Sequence, residues 1–252
     1  MANRRTVVLN GDLGSGKTTV SKLLAQRLGV RRISVGDLYR SMAAQRGMTA
    51  LQLNLHAELD DKIDHYVDQL QADIATSGEQ LVVDSRLAWH FFTDAVKVHM
   101  LADPTVAARR AMARPANDVE RYATVEEARQ RLASRSDSER ARFLTRYGVD
   151  KSDLRNYDLV LDSTTASPAE IVERIADHVD TAGLCAPNPV CHLDPRRIRR
   201  TTAAGVPDAP PLVMPEPPSF VAIAGWERIS EAARSGAPLV AVALADRTDS
   251  SR

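Results

Sequence analysis

The apolar run Thr6-Val7-Val8-Leu9-Asn10 stops at a glycine-rich turn and is followed by Val20, Leu23, Leu24 and Leu28 at helical spacing, so a buried strand feeding a helix is predicted. Gly29 supplies a stop for that helix. Arg32-Ile33-Ser34-Val35 then reads as a second strand, with a further helical stretch from Gly36. Between Thr49 and Ser77 the positions Leu51, Leu55, Leu59, Ile63, Val67, Leu70 and Ile74 recur every three or four residues, which predicts helix in more than one piece. Gln80-Leu81-Val82-Val83-Asp84 is a short apolar strand ending in a carboxylate. Val96, Val98 and Met100 alternate with Lys97 and His99, the pattern of a strand with one less buried face. Asp103-Pro104 offers an N-cap and a first-turn proline. Thr124-Val125-Glu126-Glu127 is a capping box that opens a helical pattern to Tyr147. Tyr157 to Asp162 is a further strand, and Ser167-Pro168-Ala169-Glu170 caps a helix carrying Ile171, Ile175 and Val179. Strands alternating with helices predict an α/β fold on a parallel sheet covered on both faces.

The pattern changes at Gly183. Residues 184–218 hold Pro187, Pro189, Pro195, Pro207, Pro210, Pro211, Pro215, Pro217 and Pro218 and little helical periodicity. Domain boundaries follow: a first domain over 1–182, a linker over 183–190, a small α+β module over 191–245 and a disordered tail over 246–252. The module is read as a strand at Phe220-Val221-Ala222-Ile223, a helix from Trp226 to Arg234 and a strand from Leu239 to Leu244. With the strand pattern of the first domain complete before Gly183, that domain is expected to fold without residues 184–252.

Composition narrows the function classes. The chain has 252 residues, with 33 basic balanced by 33 acidic, so its charge as a whole gives no argument for nucleic acid or membrane. Met1-Ala2-Asn3-Arg4-Arg5 runs into the first strand without an apolar signal segment, and no run approaches the roughly 18 apolar residues of a membrane span. A soluble, cytoplasmic protein is expected. Cys185 and Cys191 are too few for a disulfide framework, and with His192 they fall short of a closed four-ligand zinc site. Arg196, Arg197, Arg199 and Arg200 form a local basic cluster that suits nucleic acid, an acidic partner or a solvated linker equally.

The chemistry centres on Gly11-Asp12-Leu13-Gly14-Ser15-Gly16-Lys17-Thr18, placed between the first strand and the first helix. Glycines let successive backbone N–H groups turn inward on phosphate oxygens, and the helix N-terminus adds its partial positive charge. This is a phosphate-binding P-loop, in which Lys17 reaches the β- and γ-phosphates of a nucleoside triphosphate and the Thr18 hydroxyl serves Mg²⁺. Asp84, at a strand end beside the loop strand, fits a metal role through water or a plain turn. Asp37, Arg40 and Arg86 follow strands in the same way, and the two arginines suit an acceptor phosphate or a solvated surface. Arg135, Glu139 and Arg142 fall on one helical face, with Arg131 preceding them, as clamps for a transferring phosphoryl group or as a salt-bridged surface helix. In the clamp reading Glu139 holds the arginines apart and oriented.

These residues resemble the nucleoside monophosphate kinases, and most closely the short cytidylate kinases of the archaeal type. The similar segments are Gly11 to Thr19, Ile33 to Arg40, Val82-Val83-Asp84-Ser85-Arg86-Leu87-Ala88, Arg135 to Asp150 and Tyr157 to Ile175, in the family's order. The resemblance implies a P-loop NTPase three-layer sandwich with a five-stranded parallel sheet in the order 2-3-1-4-5. It also implies ATP with Mg²⁺ as donor and CMP or dCMP as acceptor. In that reading Gly11, Leu13, Gly14, Ser15, Gly16, Lys17, Thr18 and Thr19 bind ATP. Lys17, Arg135 and Arg142 are catalytic, Asp37, Arg40 and Arg86 bind the acceptor, and Thr18 and Asp84 serve the metal. Asp61 and Asp64 fall where the acceptor pocket is expected. Ser85 departs from the family, which has glycine there, and this opens the acceptor to another small metabolite or a modified nucleotide. A non-catalytic ATP-binding regulator is the reading from another class, and the lid arginines argue against it. Residues 191–245 resemble a minimal ParB or sulfiredoxin-type module through His192 to Ile198, Val221 to Gly225, Gly225-Trp226-Glu227-Arg228, Ala232-Ala233 and Gly236 to Val240. Glu227 replaces the histidine usual before that arginine.

Overall fold

The computed structural model describes residues 5–48, 62–113, 122–181, 188–201 and 209–245. The first half follows the predicted alternation: β1 (Val7–Gly11), α1 (Lys17–Leu28), β2 (Arg31–Ser34), α2 (Val35–Gln45), α3 (Lys62–Thr76), β3 (Leu81–Asp84), α4 (Ala88–Phe91), β4 (Val96–Leu101), α5 (Pro104–Met112), α6 (Val125–Tyr147), β5 (Leu159–Asp162) and α7 (Pro168–Thr181). After these come β6 (Val190–Leu193), β7 (Ile198–Arg200), β8 (Leu212–Glu216), β9 (Ser219–Ala224), α8 (Trp226–Arg234) and β10 (Val240–Leu244). The helix expected from Thr49 lies outside the described residues as far as residue 61, and from Lys62 it is present.

Local chemistry explains several boundaries. The Gly29 cap of α1 is left-handed at φ 68°, and its N–H reaches the carbonyls of Ala25 and Gln26. Asp103 accepts from the N–H groups of Thr105 and Val106 ahead of Pro104. At α6 Thr124 accepts from the N–H of Glu127 as its capping box predicts, while the Glu127 carboxylate reaches one residue further back and accepts from the N–H of Ala123.

Parallel pairing places β1 between β3 and β4, with β2 outside β3 and β5 outside β4, so the order 2-3-1-4-5 is present. Alternation along the strands then sorts the core into two faces. Val7, Leu9, Val98, Met100, Leu159 and Leu161 pack with Val20 and Leu24 of α1 and Ile171 and Ile175 of α7. On the opposite face Val8, Val83 and Val160 meet Trp89, Phe92, Phe143 and Tyr157. Helices on both faces of a mainly parallel sheet make a three-layer sandwich. In β4 Lys97 lies on the less buried face as expected, but His99 on the same face is buried. The strand is flanked by β1 and β5, and a neutral imidazole is tolerated there.

The sheet does not stop at β5. β6 pairs with it in parallel, Leu159 opposite Val190, and β10 pairs antiparallel with β6. β8, β9 and β7 complete a ten-stranded sheet among the described residues. The apolar layer continues too: Cys191, Leu193, Val213, Phe220 and Ile229 belong to the same cluster as Val8 and Trp89. The boundary read at 183–190 therefore falls between two hydrogen-bonded neighbours in one sheet. β8 is absent from the sequence reading, because Pro215 within it and the prolines on either side hide a strand that pairs with β9. Residues 246–252 lie outside the described residues.

Candidate functional site

Because β1, β3, β4, β5 and β6 are parallel, the chain leaves each of them at one edge of the sheet. The phosphate-loop sequence occupies that edge between β1 and α1. Gly14 has φ 83°, and a Cβ there would lie 2.6 Å from the Ala107 carbonyl oxygen, so both backbone shape and the approach of α5 require glycine. Gly16 caps α1 in the left-handed region at φ 85°. The loop closes on itself through Ser15 N–H to Asp12 O, 3.2 Å. The Ser15 hydroxyl oxygen is buried without a hydrogen-bond partner among the described residues, an open polar group inside a loop suited to anions.

Lys17 bends back so that its Nζ donates to the Gly11 carbonyl at 2.8 Å. The walls of the cleft desolvate the ammonium and push its pKa down to about 8, against the pull of Asp84. The Thr18 hydroxyl lies 3.5 Å from Asp84 Oδ2, so the two oxygen donors read from the sequence as metal-serving are brought together. Hard oxygen donors of this kind suit Mg²⁺, which binds through one or two carboxylates and retained waters. The same Asp84 oxygen accepts from Arg32 at 3.1 Å. Arg32 also donates to Asp37 Oδ2 at 3.1 Å and to the Ser21 hydroxyl at 2.7 Å, and so ties β2, α1 and α2 to the metal-side carboxylate. Asp37 in turn pairs with Arg40; burial pushes its carboxyl up, and the hydrogen bonds from Arg40 and Arg32 outweigh that and hold it low. Arg40 itself remains exposed.

A second group gathers opposite. Glu139, buried on α6, accepts from Arg86, from Arg135 Nε at 3.3 Å and from Lys151 Nζ at 3.0 Å. Burial opposes the ionised Glu139, and the charges of Arg86, Lys151 and Arg135 outweigh it, holding the carboxyl low. Arg142 lies along the Phe143 ring at 5.7 Å. Arg131 does not join the cluster, and pairs with Glu127 at 2.8 Å on the exposed side of α6. Beyond Asp84, the Ser85 hydroxyl donates to Gln71 Oε1 at 2.9 Å and accepts from the Leu87 N–H, both side chains being buried. Asp61 and the Asp64 side chain lie outside the described residues.

Under the loop, Asn10 donates to His99 Nδ1 at 3.1 Å and to the Tyr157 hydroxyl, which donates to the Lys151 carbonyl at 2.8 Å. Since Nδ1 accepts, the imidazole proton sits on Nε2, 3.9 Å from Asp12 Oδ1. Burial pushes the His99 pKa down to about 3, so the ring is neutral. Sequence reasoning missed Arg32, Gln71, Lys151 and the Asn10, His99 and Tyr157 set. Lys151 follows directly on the segment Tyr147 to Asp150, which was the one available signal.

Among the described residues no group of three or more His, Cys, Asp or Glu could hold a metal ion, and no helix is long and apolar enough to cross a membrane. Three of the four clustered arginines are engaged by carboxylates: Arg196 by Asp194, Arg197 by Asp162 and Arg199 by Glu216.

A family model described as "AAA domain" matches residues 7–142. A cytidylate kinase of Archaeoglobus fulgidus is 35% identical over 175 residues, covering 69% of this chain and 94% of its own length. One from Haloarcula marismortui is 37% identical, covering 66% and 84% respectively. Among solved structures, the fold is shared with a protein from Eubacterium ventriosum (TM-score 0.55, 16% identity, 71% of this chain and 99% of that one). It is shared also with shikimate kinase from Bacteroides thetaiotaomicron (TM-score 0.52, 17% identity, 70% and 98%). Fold, loop and relatives together define a P-loop kinase, an ATP-dependent phosphotransferase acting on a small nucleotide or metabolite. Within that class the chain belongs to the P-loop nucleoside monophosphate kinase family, alongside the archaeal cytidylate kinases it is similar to.

Proposed function

We propose that the protein transfers the γ-phosphoryl group of ATP to CMP or dCMP, giving ADP and CDP or dCDP. The observation that carries this reading is the convergence of Arg86, Arg135 and Lys151 on Glu139, facing the Lys17 loop. Such a cluster supplies cations to a transferring group whose charge spreads over its equatorial oxygens. Gly11, Leu13, Gly14, Ser15, Gly16, Lys17, Thr18 and Thr19 hold the ATP phosphates. Thr18 and Asp84 would hold Mg²⁺ through water, and the ion when bound neutralises charge on the β- and γ-phosphates. Arg40 and Arg86, with Asp37 orienting Arg40, receive the acceptor phosphate. An oxygen of that phosphate attacks the γ-phosphorus, and the bond to the β,γ-bridging oxygen breaks, leaving ADP. The attacking oxygen is already anionic, so no strong general base is needed. Lys17, Arg135 and Arg142 lower the barrier by position and charge.

A second reading keeps the kinase and changes the acceptor to a modified nucleotide or another small metabolite. It is favoured by the buried Ser85 and Gln71 pair beside Arg86. ADP formation measured with CMP, dCMP, UMP, AMP and GMP tests both. Turnover with CMP or dCMP, abolished by Lys17→Ala, supports the first; turnover with none of the five rejects it.

A further inference from the structure

The phosphate loop receives support from a part of the chain well beyond β5. Since β6 runs parallel to β5, the residues that leave it, Asp194 to Arg197, emerge at the same sheet edge as the loop. Arg197 is nearly enclosed there, with its side chain 9% exposed. One guanidinium nitrogen donates to Asp162 Oδ2 at 2.7 Å, another donates to the Pro218 carbonyl, and the group lies over the Phe220 ring at 5.9 Å. All three contacts fix its direction.

Asp162 ends β5 and is fully buried. Its other oxygen accepts from the N–H of Thr164 at 3.0 Å and from the Thr164 hydroxyl at 2.6 Å, so the turn that follows is held from both sides of one carboxylate. Ser163 stands between these anchors. Its N–H is tied to the Leu101 carbonyl at 2.9 Å, its hydroxyl proton lies between the Ser15 carbonyl of the phosphate loop at 2.8 Å and the Leu101 carbonyl at 2.9 Å, and the hydroxyl oxygen accepts from Arg110 at 3.2 Å. A peptide unit is planar and trans, so a fixed Ser15 carbonyl makes the Gly16 N–H point the opposite way, away from Ser163. That N–H is one of the donors a P-loop turns on phosphate. Arg197 is also close enough for its charge to act on Asp12 in the same loop, where it opposes the upward push of burial.

We propose that the C-terminal segment is a working part of the donor phosphate site, with Arg197 a positioning residue that fixes the loop backbone at Ser15 through Asp162 and Ser163. The proposal rests on the reading of the loop as the ATP site and is independent of the acceptor. It gives the strands β6 to β10 a role in ATP binding, and it accounts for their lying in the same sheet.

Equilibrium ATP binding by calorimetry on the full chain, with no acceptor present, tests it in Arg197→Ala, Arg197→Lys and Ser163→Ala. Arg197→Ala is expected to weaken ATP about tenfold or more, Arg197→Lys to recover part of that, and Ser163→Ala to weaken it about threefold to tenfold. CMP binding, measured alongside, is expected to stay within about twofold. Folded variants that bind ATP as the parent does overturn the proposal. So does an equal weakening of ATP and CMP together with a lower melting temperature, the signature of general loosening. If Arg197→Ala does not fold, Ser163→Ala decides, because it removes one hydroxyl and leaves Arg110 bonded to the Ser163 and Thr164 carbonyls. A parent that binds ATP yet never phosphorylates CMP rejects the proposed acceptor and leaves this test in force; a parent that does not bind ATP rejects both.

Discussion

Lys151 Nζ lies 3.0 Å from Glu139 Oε2, so a lysine beyond the end of α6 enters the same carboxylate cluster as the arginines of that helix. Glu139 is one of four buried carboxylates among the described residues, and three cations bond to it. Breaking one side of a buried ionic group costs about 3–5 kcal/mol. Glu139→Ala is therefore expected to lower the melting temperature and cut turnover more than about tenfold. Lys151→Ala leaves Glu139 with two arginine partners and should cost turnover about threefold to tenfold with a small loss of stability. Steady-state kinetics and thermal unfolding on the two variants check this ordering.

ATP binding should take up a proton in mildly alkaline solution. In the free protein Lys17 is held near 8, well below an ordinary lysine, because the cleft desolvates it. Phosphate oxygens favour the charged form, so binding raises the pKa and draws a proton from buffer. Apparent ATP affinity is then expected to fall as pH rises above about 8, with a dependence lost in Lys17→Met. Calorimetry in buffers of different ionisation enthalpy reads the proton directly.

Acid should destabilise the fold through His99. The ring ordinarily titrates at 6.5 and is held down to about 3 in the folded chain, so the unfolded chain binds the extra proton between those values. Its contribution is complete above pH 6.5 and is lost as pH falls toward 3, at up to about 1.4 kcal/mol per pH unit. His99→Gln, neutral throughout, is expected to flatten that slope in denaturant titrations across the window.

Acceptor selectivity should respond to Ser85. Its hydroxyl fixes the buried Gln71 carboxamide, so Ser85→Gly frees Gln71 beside Arg86. The KM for the acceptor is expected to change about threefold or more while the KM for ATP stays within about twofold. Equal KM values in both variants would remove Ser85 from the acceptor side.

Much of this was legible because its determinants are local. The glycines of the phosphate loop, the Thr124 and Ser167 capping boxes, and the spacing of Arg135, Glu139 and Arg142 all act within a few residues. Arg32 was not legible, since its partner Asp84 is 52 residues away and only strand pairing brings them together. Arg197 was read among four arginines as part of a basic patch, and its partner Asp162 is 35 residues away. His99 of β4 was misjudged because alternation treats histidine as polar, whereas a desolvated neutral ring packs in a central strand. Sheet continuation past β5 was hidden by prolines that mark loops in most settings but here flank β8 and, at Pro215, lie within it; β8 pairs with β9 and, in parallel, with β10.

The most direct test of the account follows the transferred group itself. The full chain is incubated with Mg²⁺, CMP and ATP labelled in its γ-phosphate, and the products are separated. Label in the β-phosphate of CDP, absent with Lys17→Ala, is the predicted result. Label that stays in ATP, or leaves only as inorganic phosphate, would contradict it.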